Sequence, residues 1–199
     1  SYVTGDSVSR FALHVKPMLG NYPVPNFKSI VVFWDVSSSA AKRNISKETD
    51  FLEKFINNRS VEELTIITFS NTVHAIKRFG RNTGFKKIRA YLFSQKPDGG
   101  TDLSSVNCNL IPANAYLLFS DGLNNFGTGL IQTNNQPLYC FHAAPSANHF
   151  LLEATAKKTN GRYVNLQLIE LSDAINQLNR QQHILTGVRT KDSLVPVCL

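Results

Sequence analysis

Residues 29–39 read SIVVFWDVSSS: an apolar run from Ile30 to Trp34 passes without alternation into Asp35 and then into Ser37, Ser38 and Ser39. A half-buried strand alternates apolar and polar residues, whereas an unbroken β-branched and aromatic run belongs to a strand covered on both faces. Such strands sit inside α/β sheets, and ligands of those sheets bind beyond the carboxyl ends of the strands. The carboxylate and the hydroxyls therefore stand where chemistry is expected.

Working outward, the chain alternates strands with helices. Residues 44–58 place Leu52, Phe55 and Ile56 on one stripe among Lys47, Glu48, Asp50, Glu53 and Lys54, which predicts a surface helix. LTIITFS at 64–70 predicts a second buried strand, and NTVHAIKRF at 71–79 follows after only a turn, as an antiparallel edge strand would. Phe85, Ile88, Leu92 and Phe93 give 84–94 helical spacing, and three more strands are expected at 115–121, 137–143 and 161–166. Helices are expected at 147–159, stopped by Asn160-Gly161, and at 170–182 on Leu171, Ile175 and Leu178. The fold class is thus α/β and doubly wound, with a mostly parallel sheet and one antiparallel edge strand.

The main domain is expected over 28–183. Ahead of it, VSRFALHVK at 8–16 alternates like a half-buried strand, and the Pro-rich stretch 17–28 reads as a linker, so that 1–27 would end a preceding module. Residues 184–199 are apolar but interrupted, and read as an extension or the start of a next module. The first residue is Ser, which suits a piece of a longer protein.

Composition narrows the classes. The 199 residues are 42% apolar and 18% charged, a globular balance. Lys and Arg outnumber Asp and Glu by 21 to 14, but the only basic concentration is IKRFGRNTGFKKIRA at 76–90, which reads as a solvated face; neither nucleic acid nor membrane insertion is expected. Three cysteines cannot all pair, and Cys140 lies in the apolar run PLYCFHAA, as a core residue would.

Residues just past the strand ends are lopsided in chemistry. Asp35, Ser37, Ser38 and Ser39 follow the first strand of the domain, Ser120, Asp121 and Gly122 follow the fourth, and PDGGTD delivers Thr101 on a glycine-rich loop. All are hard oxygen donors, which favours Mg²⁺, Ca²⁺ or Mn²⁺ over zinc. Together D-x-S-x-S (Asp35, Ser37, Ser39), GGTD (Thr101) and FSDG (Asp121) resemble the metal-ion-dependent adhesion site (MIDAS) of von Willebrand factor A (VWA) domains. The resemblance spans about 28–183 and is nearest the A domains that follow a VIT module in inter-alpha-trypsin inhibitor heavy chains and their bacterial relatives. It implies that the hydroxyls of Ser37, Ser39 and Thr101 touch a divalent cation while Asp35 and Asp121 act through water or by hydrogen bonding. It implies further that the cation takes a Glu or Asp carboxylate from a partner protein, that the protein is no enzyme, and that it works outside the cytoplasm. Coupling of the site to movement of the last helix is a further expectation from that family.

Two departures predict a trimmed fold. Residues 102–114 can hold only a turn or two where the family fits helices, and GLNNFGTGLIQTNNQ at 122–136 is polar and glycine-rich. Three other readings compete. The serines could simply cap a helix and Asp121 start a turn. The domain could be a structural one that contacts neighbouring domains of its own chain through a vestigial or metal-free site. An enzyme could use the same crevice, yet the haloacid-dehalogenase pattern needs a second Asp where Ser37 stands, and Ser38 has no matched base among His14, His74, His142, His149 and His183.

Overall fold

The computed structural model describes residues 26–179 throughout and, outside them, the backbone of short strands at 2–5, 8–11, 187–189 and 194–196. The chain divides into two compact units, one made of residues 24–179 and one drawn from 1–23 and 180–199 together. In the smaller unit β1 (Tyr2–Gly5) pairs antiparallel with β2 (Val8–Phe11). Strand is thus found over the first part of 8–16, as one arm of a hairpin whose other arm carried no expectation; 12–16 and most of the expected linker lie outside the described residues.

The larger unit is built on six strands: β3 (Ser29–Asp35), β4 (Glu63–Phe69), β5 (Val73–Gly80), β6 (Ala115–Phe119), β7 (Leu138–His142) and β8 (Tyr163–Asn165). Their order is β5-β4-β3-β6-β7-β8, parallel throughout except for β4 against β5. Four helices follow the strands: α1 (Ile45–Arg59), α2 (Phe85–Phe93), α3 (His149–Lys158) and α4 (Leu171–Asn179). Beyond Asn179 the expected last helix lies outside the described residues. The tail carries a second small antiparallel pair, β9 (Gly187–Arg189) with β10 (Leu194–Pro196).

Pleating explains why β3 needs apolar residues at every position. Ile30, Val32 and Trp34 point into a core shared with Phe51, Leu52 and Phe55 of α1 and with α2 and α4, while Val31 and Phe33 point into a second core with Leu152 and Ala156 of α3. On the second face residues 102–114 hold a single 3₁₀ turn, Leu103–Ser105, and 122–136 hold no helix. The helix layer there is trimmed, and an open cleft of about 490 Å³ remains where Thr65, Arg78, Ile111 and Pro112 meet.

Two features depart from the expectation. Phe27, placed in the linker, is 6% exposed and stacks on Phe55 with centroids 6.3 Å apart, so the core reaches back past position 28. Glu48, one of the charges of the expected surface helix, is fully buried. Its position follows from the helix period: 48, 52, 55 and 59 share the stripe that faces the sheet, so this acid lies on the apolar side.

Backbone proximity also fixes Gly161, between α3 and β8. A Cβ there would penetrate the Leu138 carbonyl at the start of β7. Because backbone cannot rotate away as a side chain can, Gly161→Ala is expected to cost about 2 kcal/mol. Urea unfolding would read this, and an unchanged midpoint would refute it.

Candidate functional site

At the carboxyl end of β3 the chain leaves the sheet into a 3₁₀ helix, Ser38–Lys42. Ser37 occupies the N-cap position, yet its side chain makes no capping bond; its hydroxyl pairs instead with that of Ser39 at 3.1 Å. α1 is capped by Asn44, whose side chain accepts the Lys47 N–H at 3.0 Å. The helix-capping reading of the serines is therefore not what their hydroxyls do. Ser38, between them, points to solvent.

Asp35 is 1% exposed and uses both carboxylate oxygens: one accepts the Ser37 N–H at 2.8 Å, the other the Ser120 hydroxyl at 2.6 Å. Ser120 also accepts the Gly122 N–H at 3.0 Å, so the ends of β3 and β6 are stitched together through one hydroxyl. Asp121, next along, is 2% exposed; one of its carboxylate oxygens accepts the Leu123 N–H at 3.0 Å. That bond is the turn expected of an Asp-Gly corner. The Asp121 carbonyl accepts the Asn148 N–H at 2.8 Å, which ties the corner to the start of α3.

The glycine-rich loop is held against the serines by backbone. Ser38 N–H donates to the Gly99 carbonyl at 2.8 Å, and Asp98 N–H donates to the Val36 carbonyl at 2.8 Å. Gly99 has φ +73°, a region that favours glycine. Thr101, two residues on, is fully buried, its carbonyl accepts the N–H groups of Asn125 and Phe126, and its hydroxyl has no hydrogen-bond partner. The Phe126 ring closes over Gly100 while remaining 56% exposed.

Beneath the site lies a buried ion pair that the sequence reading did not single out. Arg43 and Glu48 are both fully buried at the side chain and meet at 2.7 Å. Arg43 also donates to the Asp35 carbonyl at 2.7 Å, and Glu48 accepts the Ala143 N–H at 2.8 Å beyond β7. Burial opposes the Arg43 charge, but Glu48, Asp35 and Asp121 together outweigh it and hold the guanidinium above its usual range. Burial pushes the Glu48 carboxyl up, with the Arg43 guanidinium and the Ala143 N–H pulling it back. The available signal for Glu48 was an acid on the apolar stripe of a helix, which demands a buried partner.

His142, at the end of β7, is a satisfied structural residue. One ring nitrogen accepts the Ala144 N–H at 3.2 Å, and the other bonds the Tyr163 hydroxyl at 2.7 Å. Cys108 and Cys140 are free and buried; burial pushes the Cys108 thiol up to about 12 and raises Cys140 as well, so neither is primed as a nucleophile. Cys198 lies outside the described residues.

The donor set fits a hard cation better than a soft one. Among the described residues no three His, Cys, Asp or Glu side chains converge, and the groups gathered at these strand ends are hydroxyls and two carboxylates. An orphaned buried hydroxyl at Thr101 is the kind of atom a missing ligand would satisfy.

No family model matches the chain, and no curated protein does either. Among solved structures it is similar to an aerotolerance-related membrane protein from Bacteroides fragilis, with TM-score 0.54 and 13% identity over 76% of this chain and 96% of that one. It is similar to proximal thread matrix protein 1 of the mussel byssus with a zinc-occupied MIDAS motif, with TM-score 0.52 and 16% identity over 78% of this chain and 48% of that one. It is also similar to a von Willebrand factor type A structure from Catenulispora acidiphila, with TM-score 0.52 and 9% identity over 77% of this chain and 41% of that one. At such identities the likeness is one of fold, and the fold is that of VWA domains.

Proposed function

We propose that the chain contains a VWA-type interaction module in which Ser37, Ser39 and Thr101 hold a divalent cation, Mg²⁺ by preference or Ca²⁺ or Mn²⁺, with Asp35 and Asp121 balancing its charge. Bound there, the cation supplies a Lewis-acidic position for a carboxylate of a protein partner. The chain's own part is to present the oxygens. Asp35 fixes the Ser37 backbone and the Ser120 hydroxyl, Arg43 holds the Asp35 carbonyl, and the Gly99 carbonyl keeps the Thr101 loop beside Ser38. The partner is a protein that presents Asp or Glu, and the chain acts as a binding module rather than an enzyme.

The observation that carries this reading is Thr101. Burying a hydroxyl with no partner costs about 1–3 kcal/mol, and although Thr68 and Tyr91 also bury hydroxyls without a partner, Thr101 alone of the three sits on the loop that backbone bonds hold against the serines. The relation to VIT-associated A domains, with 1–27 and 184–199 as parts of flanking modules, belongs to the same proposal. So does an extracytoplasmic location, which suits neighbours described as a membrane protein and a byssal thread protein.

Thr101→Val tests it, because valine keeps the shape and removes only the oxygen. The metal-free variant is expected to be more stable than wild type by about 1 kcal/mol in urea unfolding, while its affinity for Mn²⁺ by titration calorimetry falls at least tenfold. Undiminished Mn²⁺ affinity in the variant, or no Mn²⁺ binding by wild type at millimolar metal, would overturn the proposal.

A further inference from the structure

β5 is the last strand of the sheet on its side, and among the described residues the one backbone bond it makes outside β4 is at its end, where the Gly80 carbonyl accepts the Thr83 N–H at 2.8 Å. It is eight residues long, and seven of the eight are exposed, Phe79 being the exception. An edge of that length leaves a row of unpaired N–H and C=O groups, the template onto which another strand adds. The trimmed second face contributes to this, since among the described residues no helix packs across β5 there and Ile76 is 48% exposed.

Charge selects what can add. Lys77 lies on one face of β5, with its ammonium 4.4 Å from the Tyr91 ring centroid, and Arg78 on the other, where it lines the open cleft. Arg81, Lys86 and Lys87 follow on the turn and the first residues of α2, all exposed. Among the described residues Arg81 alone of these five has an acidic partner, Glu62 at 3.6 Å; Glu63, opposite Gly80, is the other acid at that end. A second copy of the chain pairing edge to edge would set this cationic strand against itself, and like charges directly opposite are destabilising. Nucleic acid would meet the charge but leave the backbone ladder unused.

We propose that β5 is a docking edge for an extended acidic segment of a partner protein, which joins the sheet as a seventh strand with its carboxylates against Lys77, Arg78 and the α2 cations. This contact is separate from the cation site and does not require metal. It gives the basic concentration at 76–90 a role beyond solvation.

The probes are the peptides (Glu-Val)₄ and (Lys-Val)₄, applied to the full 199-residue chain with and without chelator. The acidic peptide is expected to bind at least tenfold more tightly than the basic one at low salt. It should slow amide hydrogen exchange within 73–80, where outward-facing N–H groups otherwise exchange freely, and chelator should change neither result. K77E/R78E, both at exposed positions, should reverse the preference while keeping the thermal melt. Binding without protection of 73–80, equal capture of heparin with loss of peptide binding, or protection that rises with protein concentration alone would each overturn the proposal. The last outcome would assign the edge to a second copy. A chelator-sensitive signal, or failure of both peptides to bind, would also overturn it, and neither result bears on the Mn²⁺ test of Thr101.

Discussion

Glu48→Ala should unfold in urea with a loss of roughly 3–5 kcal/mol, a large share of the 5–15 kcal/mol that holds a domain together. The cost comes less from the lost attraction than from what remains. Arg43, whose side chain is fully buried and whose pKa stands above its ordinary value, keeps its charge with its main counter-ion gone, and the Ala143 N–H loses its acceptor. A surface pair would behave differently: Lys157 and Glu153, both more than half exposed, should tolerate the same truncation within about 0.5 kcal/mol. The double variant Arg43→Met with Glu48→Leu removes both charges and fills similar volume, so most of the stability should return. It cannot restore the bond from Arg43 to the Asp35 carbonyl. Recovered stability with weakened Mn²⁺ binding would assign Arg43 the positioning role given above; a double variant as unstable as Glu48→Ala would show that the site tolerates no apolar pair.

The same pair marks how far the sequence could be read. The run from Ile30 to Trp34 announces a two-sided strand because pleating sends alternate residues into two separate cores, and its five residues are too few for a buried helix. Parallel pairing follows from the alternation of strands with helices, whereas the order of the strands was not read from the sequence. Asp35, Ser37, Ser39, Thr101 and Asp121 were legible as a set of hard oxygens at strand ends, and the bonds among the Asp35, Ser38, Gly99 and Ser120 positions now tie their loops to one end of the sheet. Arg43 and Glu48 were not singled out as a pair because their meaning lies in partners 5 to 95 residues distant, as with Glu48 and the Ala143 N–H, and Ser120 was legible as a strand-end oxygen but not as the partner of Asp35. Phe27 was hidden by the prolines around it. Proline composition reports what the backbone cannot do and says nothing about where one aromatic ring packs.

Stability should also fall as acid is added through the range where histidine titrates, and His142 should be responsible for about 3 kcal/mol of it. Burial lowers its pKa to about 4, helped by the neighbouring His149 and Arg43 charges. The Ala144 N–H occupies one ring nitrogen as an acceptor, so the neutral ring carries its proton on the other and donates it to the Tyr163 hydroxyl. Tyr163 is then free to donate to His149 at 2.5 Å, and the three side chains form one directional chain between the end of β7, β8 and the start of α3. The sign follows from proton counting. In the unfolded chain His142 titrates near 6.5, so between that value and about 4 the unfolded state holds a proton that the folded state refuses. Its contribution is complete above 6.5, is lost progressively down to about 4, and is constant below. A shift of that size corresponds to about 3 kcal/mol at 1.36 kcal/mol per unit. Carboxylates titrate in the same window, so the measurement is a difference: urea unfolding of wild type and His142→Gln from pH 7 to pH 4. The wild-type curve should fall by about 3 kcal/mol more than the variant's, and parallel curves would show that the imidazole takes its proton in the folded protein as readily as in the unfolded one.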